Sequence, residues 1–149
     1  DITTLLRDKI GFSKAVECLS KPYENEVVDQ IIGIESRGFI FGGAVADRLR
    51  TGFVPVRKVG KLPSSTVRVT YDLEYGTDSL EIHKDAIEPG QNVVIVDDLL
   101  ATGGTARATI DLVNKVGGKV LGLSFLIELT ELHGLKQLKD QVVLSVLKY

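Results

Sequence analysis

The stretch Val93-Val94-Ile95-Val96-Asp97-Asp98-Leu99-Leu100-Ala101-Thr102-Gly103-Gly104-Thr105 decides the fold. Four β-branched apolar residues in a row suit a strand buried on both faces, as in a parallel sheet. Asp97 and Asp98 then fall at the carboxyl end of that strand, the edge at which open α/β sheets bind ligands. Ala101 to Thr105 offer backbone N–H groups with little side-chain bulk, just ahead of a helical pattern. That is a cradle for an anion such as phosphate. Carboxylates beside a phosphate cradle suit a sugar phosphate, with acids for hydroxyls or a metal and amides for the phosphate.

Outward from this stretch the chain alternates strand and helix patterns. Asp1 to Arg7 reads as a short extended or turn segment. Phe12, Ala15, Val16 and Leu19 recur at helical spacing, with Ser13 as a candidate cap and Pro22 near the end. Val27 to Ile34 reads as a strand, followed by Glu35-Ser36-Arg37-Gly38 and a helix through Leu49. Its Gly42, Gly43, Ala44 and Ala46 allow close packing. Taken alone, Glu35 and Arg37 suit a solvated turn or a local ion pair as well as a ligand site. Phe53 to Val56 is a short strand, with Pro55 marking an edge or a strand end. The following loop holds Arg57, Lys58 and Lys61. A solvated basic loop is the ordinary reading, but these cations start where a strand ends and so lie within reach of an anion at the sheet edge.

Val67, Val69 and Tyr71, then Ser79 to His83, alternate around Asp72-Leu73-Glu74-Tyr75-Gly76, the pattern of a hairpin arm. His83 has no second His or Cys near it and reads as a surface residue. Pro89-Gly90 marks a turn before the central strand. Ala106, Ile110, Val113 and Val116 share a helical face that Gly117-Gly118 ends. Val120 to Ile127 is another buried strand, Thr130 a candidate cap for a short helix through Leu138, and Val142 to Leu147 a last strand. The order predicts a single α/β domain over residues 1–149, a central parallel sheet flanked by helices, with a β-hairpin lid arm.

The 149 residues are 44% hydrophobic and 26% charged, ordinary for a soluble globular chain, and carry a formal charge of −2. That balance speaks against nucleic acid as the main partner. One cysteine, Cys18, excludes an internal disulfide and reads as a buried structural thiol. With no signal peptide and no membrane-length apolar run, a cytoplasmic location and no membrane partner are the default expectations.

Val93 to Thr105 strongly resembles the phosphoribosyl pyrophosphate-binding signature of type I phosphoribosyltransferases. It is neither a Walker loop, since no Lys follows the glycines, nor a Gly-x-Gly-x-x-Gly fingerprint. Within that superfamily the likeness is greatest to the adenine phosphoribosyltransferases. It is carried by Glu35-Ser36-Arg37-Gly38-Phe39, Arg57 to Pro63, Tyr71 to Gly76 and Ile87-Glu88-Pro89-Gly90, and so spans nearly the whole chain. The resemblance implies transfer of phosphoribose from phosphoribosyl pyrophosphate to N9 of adenine, giving AMP and pyrophosphate with Mg²⁺. It places the 5′-phosphate on Ala101, Thr102, Gly103, Gly104 and Thr105, and the ribose hydroxyls or Mg²⁺ on Asp97 and Asp98. Arg37, Arg57, Lys58 and Lys61 would neutralise the pyrophosphate, Glu35 would orient Arg37 or metal-bound water, Glu74 would serve as acid/base near the purine, and Tyr75 would close over the donor. It also places the base-reading segment before Asp1, a segment missing from this sequence, and implies a homodimer to which the Gly38–Leu49 helix contributes. Alternatives on the same fold are another purine acceptor (hypoxanthine, guanine or xanthine) or a nucleotide-sensing regulator without catalysis.

Overall fold

The computed structural model describes residues 1–149. Its strands are β1 (Gln30–Ile34), β2 (Gly52–Lys58), β3 (Thr66–Asp72), β4 (Thr77–His83), β5 (Asn92–Leu100), β6 (Lys119–Glu128) and β7 (Val143–Lys148). They form one seven-stranded sheet in the order β3-β4-β2-β1-β5-β6-β7. The pairs β2–β1, β1–β5, β5–β6 and β6–β7 are parallel, whereas β4 runs antiparallel to both β2 and β3. The helices are α1 (Thr3–Arg7), α2 (Lys9–Ser20), α3 (Gly38–Leu49) and α4 (Gly104–Lys115). None is long and apolar enough to cross a membrane.

Residues Val93 to Val96 are wholly buried, as the β-branched run predicts. Their side chains alternate between two cores: Val93 and Ile95 pack on the α4 and hairpin side, Val94 and Val96 on the α2 and α3 side. The predicted parallel sheet flanked by helices is therefore the observed architecture over β2-β1-β5-β6-β7, with β5 the middle strand of these five.

Several local expectations are corrected. Residues 3–7 form a helix, because Ile2, Leu5 and Leu6 pack on the core beside α2 and Asp1 accepts the Thr3 N–H at 2.8 Å. The second helix starts at Lys9, capped by the Asp8 carboxylate, which accepts the Gly11 N–H at 2.6 Å; Ser13 lies inside it. Strand β1 starts at Gln30, three residues later than the apolar run. Cys18 and His83 are half-buried rather than buried and superficial, respectively. The last predicted helix is two 3₁₀ turns, Thr130–Leu132 and Gly134–Leu138, separated by His133 at φ 54°. Thr130 caps neither; its hydroxyl donates to the Tyr149 carbonyl at 2.7 Å. Pro55 sits inside β2, but only Arg57 and Lys58 pair with β4, so the strand is open on that side at the proline.

Close packing of α3 on the sheet rests on Gly42 rather than on all the small residues of the helix. A Cβ on Gly42 would lie 2.9 Å from the Phe53 ring and 3.3 Å from the Gly33 Cα, while one on Gly43 would meet nothing. Gly42→Val is expected to lower stability by about 1–3 kcal/mol through this overpacking. Gly43→Val should be close to neutral. Urea unfolding midpoints of the two variants check the contrast.

Candidate active site

Three loops leave the carboxyl edge of the parallel strands side by side: Glu35–Arg37 after β1, the 59–65 loop after β2, and Ala101–Gly103 after β5. The first and third wall a cavity of about 300 Å³. Its lining includes Glu35, Arg37, Asp97, Asp98, Ala101, Thr102, Gly103 and Thr105. The structure thus brings together the acids, one arginine and the small-residue loop that the sequence singles out.

The cradle is open by construction. Gly103 takes φ 87°, a left-handed conformation suited to glycine, and starts α4 with no side chain capping the first-turn amides. Two close approaches brace it. A Cβ on Gly103 would press on the Gly134 carbonyl, and one on Gly134 would press on the Ala101 carbonyl. The turn at Gly134 thus supports the cradle from behind, a role that the isolated Gly134 in the sequence does not announce. From the other side the Tyr71 hydroxyl stands 3.3 Å from Thr105 Oγ1, so the base of the hairpin rests beside α4.

Asp98 is buried and its Oδ2 accepts from Arg37 Nε at 2.5 Å. Asp97 Oδ1 accepts the Asp98 backbone N–H at 2.8 Å. Burial, then the adjacent Asp98 carboxylate, pushes Asp97 well above the usual carboxylate range. Gly38 allows this approach, since a Cβ there would lie 2.7 Å from Asp97 Oδ1.

The other cations gather next door. Glu35 accepts from Lys61 Nζ at 2.5 Å and from the Lys58 backbone N–H at 2.9 Å, and pairs with Arg57 Nε at 3.4 Å. Arg57 also lies over the Phe39 ring, 5.9 Å from its centroid. The Lys58 ammonium turns away to Asp78 at 2.6 Å. Glu74 and Tyr75 line no part of the cavity. They occupy the hairpin tip, where Tyr75 is 88% exposed.

A second cavity of about 590 Å³ adjoins the first and shares Arg37, Asp98 and Leu99 with it. Ile2, Leu6, Ile127, Leu129 and Tyr149 contribute further lining. None of these was singled out from the sequence, where they read as ordinary strand, turn or terminal residues. They come from both ends of the chain and meet only through folding.

Burial acts to raise the Glu35 pKa, but hydrogen bonds from Lys61, Lys58 N–H and Arg57 outweigh it and hold the group at about 2, against 4.5 when unperturbed. A depressed folded pKa contributes stability that is full above the unperturbed value and is lost as pH falls through the folded one. The stability difference between the native chain and Glu35→Gln is therefore expected to hold steady above about pH 4.5 and to shrink as pH falls toward about 2. Urea titrations across that range check it.

The whole arrangement has counterparts among known proteins. The family model described as phosphoribosyl transferase domain matches residues 3–147. An adenine phosphoribosyltransferase of Acidobacterium capsulatum is 59% identical over 149 residues, covering 100% of this chain and 82% of that protein. The crystal structure of the adenine phosphoribosyltransferase of Rhodothermus marinus superposes with a TM-score of 0.97 at 53% identity, covering 100% of this chain and 85% of the other. That of Saccharomyces cerevisiae, complexed with adenine and an imino-altritol bisphosphate, gives 0.92 at 41% identity, covering 98% and 85%. With cradle, acids, fold and near-complete alignment in agreement, this chain belongs to the adenine phosphoribosyltransferases, within the phosphoribosyl transferase family.

Proposed function

We propose that the protein is a cytoplasmic purine-salvage enzyme that transfers phosphoribose from phosphoribosyl pyrophosphate to N9 of adenine, releasing AMP and pyrophosphate. The observation that carries the site is the cavity in which Asp97 and Asp98 face the uncapped amides at the start of α4. Relatives that are adenine phosphoribosyltransferases over the whole chain support the choice of acceptor.

In this reading the donor's 5′-phosphate lies on the amides of Ala101 to Thr105, where partial positive charge from the helix start favours it. The hydroxyls of Thr102 and Thr105 add hydrogen bonds. Asp97 and Asp98 accept from the ribose 2′- and 3′-hydroxyls. Arg37, Arg57 and Lys61 receive the leaving pyrophosphate, the arginine forks matching its oxygens, and Lys58 joins them by exchanging Asp78 for the incoming anion. Adenine takes the second cavity, whose apolar walls at Leu99, Ile127 and Leu129 suit the faces of a planar base.

Mg²⁺ fits this residue set. No group of three or more His, Cys, Asp or Glu side chains gathers in the chain, so no all-protein cage is present. Two adjacent carboxylates with substrate oxygens and water are the usual environment of Mg²⁺. Burial, then the neighbouring Asp98 carboxylate, raises the proton affinity of Asp97, and a bound cation would offset that cost. When bound, the ion would neutralise charge on the pyrophosphate oxygens.

The bond from ribose C1′ to the pyrophosphate oxygen breaks, positive charge builds at C1′, and adenine N9 forms the new bond. The N9 proton passes to Glu74. This requires the exposed hairpin tip to fold over the cavity, with Tyr75 closing on the donor and water kept from C1′. The hairpin base stays anchored at Tyr71 and Thr105 while the tip moves. A homodimer is part of the reading; the exposed Ile40 and the Phe39–Phe53 edge contact on α3 and β2 support an apolar face there.

Mixing the chain with donor and Mg²⁺, and offering adenine, hypoxanthine, guanine and xanthine in turn, tests the function; AMP from adenine is the expected product, and its absence counts against the reading. Glu74→Gln is expected to lower kcat by about 10²–10⁴-fold with little change in donor KM. Asp98→Asn, which also removes the charge that Arg37 pairs with, should instead raise donor KM by roughly 10–100-fold. Steady-state kinetics with each substrate varied separate the two effects.

A further inference from the structure

Strand β4 buries three consecutive residues, Leu80, Glu81 and Ile82. Alternation explains two of them, since Leu80 and Ile82 point into the core. Glu81 faces the other way and would be solvated if the loop after β2 did not fold over it. It is 1% exposed. Oε1 accepts the backbone N–H groups of Gly60, Lys61 and Leu62 at 3.0, 3.2 and 3.1 Å. Oε2 accepts from Thr66 Oγ1 at 3.1 Å and pairs with Arg68 Nε at 3.3 Å. Such complete satisfaction offsets the cost of burying a carboxylate.

The loop has little else to hold it. Val59, Gly60, Lys61, Pro63, Ser64 and Ser65 are all exposed and Leu62 is only half-buried, so apolar burial contributes little to its path. Arg57 Nη1 donates to the Lys61 carbonyl at 3.3 Å, which ties the loop to the neighbouring cation. With its backbone held at Glu81, Lys61 extends its ammonium to Glu35, a residue of the cavity wall. One carboxylate therefore sets where the Lys61 charge stands relative to the cavity.

We propose that Glu81 is a positioning residue for the pyrophosphate end of the donor: its carboxylate gathers the Gly60–Leu62 amides and so presents Lys61 beside Arg57 at the cavity edge. The inference rests on the reading that these cations receive pyrophosphate. Glu81 touches no substrate; Oε1 holds the loop, while Oε2 is taken up by Thr66 and Arg68 of β3. Its loss frees the loop and leaves the cradle, the Asp97–Asp98 pair and the second cavity in place.

Calorimetric titration of the full chain with pyrophosphate plus Mg²⁺, and separately with AMP, tests this. Glu81→Ala is expected to weaken pyrophosphate binding about tenfold or more, the scale of several lost charge-assisted hydrogen bonds, while AMP affinity stays within about twofold. Glu81→Gln keeps an oxygen for the three amides and should recover most of the affinity. Gly60→Ala strains the loop from outside, because Gly60 has φ 88°, and should reproduce the selective loss even if Glu81→Ala fails to fold. Equal pyrophosphate affinity in native chain and variants would overturn the proposal, as would a parallel fall in AMP affinity. A native chain that binds AMP but not pyrophosphate would overturn the donor reading itself.

Discussion

Over Val93 to Val96, strand β5 has no solvent on either face, and that constraint shapes the rest of the molecule. Val93 to Val96 bury every side chain, so two separate layers of helix and hairpin must cover them. Their backbone groups must also be paired on both edges, which β1 and β6 do in parallel register. Pairing with β1 stops at Val96, while pairing with β6 continues to Leu100. The strand therefore emerges from the sheet on one side only at Asp97, and a cavity opens where β1 ends. The two carboxylates are delivered to that opening by the same hydrophobic run that holds the sheet together.

The site is kept in order by opposite charges. Arg37 is paired with Asp98, Arg57 and Lys61 with Glu35, Lys58 with Asp78, and Arg68 with Glu81. Each acid sits on or at the end of a strand, as do Arg57, Lys58 and Arg68, whereas Arg37 and Lys61 lie on loops. Strand-borne acids thus hold the two loop cations at set places. An incoming polyanion competes with carboxylates already in contact, which lowers the net gain from each cation but fixes the geometry at which it is met. Glu35 is the densest of these junctions. The cations around it overcome the penalty of its burial, and it keeps its charge well into acid.

The hairpin divides into two parts with different constraints. Its base is tied down, by Tyr71 beside Thr105 and by Lys115 Nζ donating to the Arg68 carbonyl at 3.2 Å. Its tip, from Leu73 to Gly76, is exposed throughout. The turn closes on itself through the Leu73 N–H and the Gly76 carbonyl at 2.9 Å. An arm built this way can bend at the tip without disturbing the core that β4 shares with α4.

The sequence by itself determined the architecture and the cradle. A β-branched run, two acids and a glycine-rich turn are local signals, and each acts through its own backbone and its nearest neighbours in the chain. The hairpin and the α3 and α4 helices were legible for the same reason, as periodicity alone defines them. Short pieces were not. The helix at Thr3–Arg7 depends on Ile2, Leu5 and Leu6 finding a core made of distant residues, and the start of α2 depends on a single carboxylate at Asp8. Only the tertiary structure decided which cation meets which acid, because Arg37 and Asp98 are 61 residues apart and Lys61 and Glu35 are 26. It alone assembled the second cavity from both ends of the chain, and it alone turned Glu81 from one acid in an alternating strand into the anchor of a loop. Local patterns specify elements because their energetics are local, whereas a charge pair or a cavity wall exists only once burial has brought remote residues to the same place.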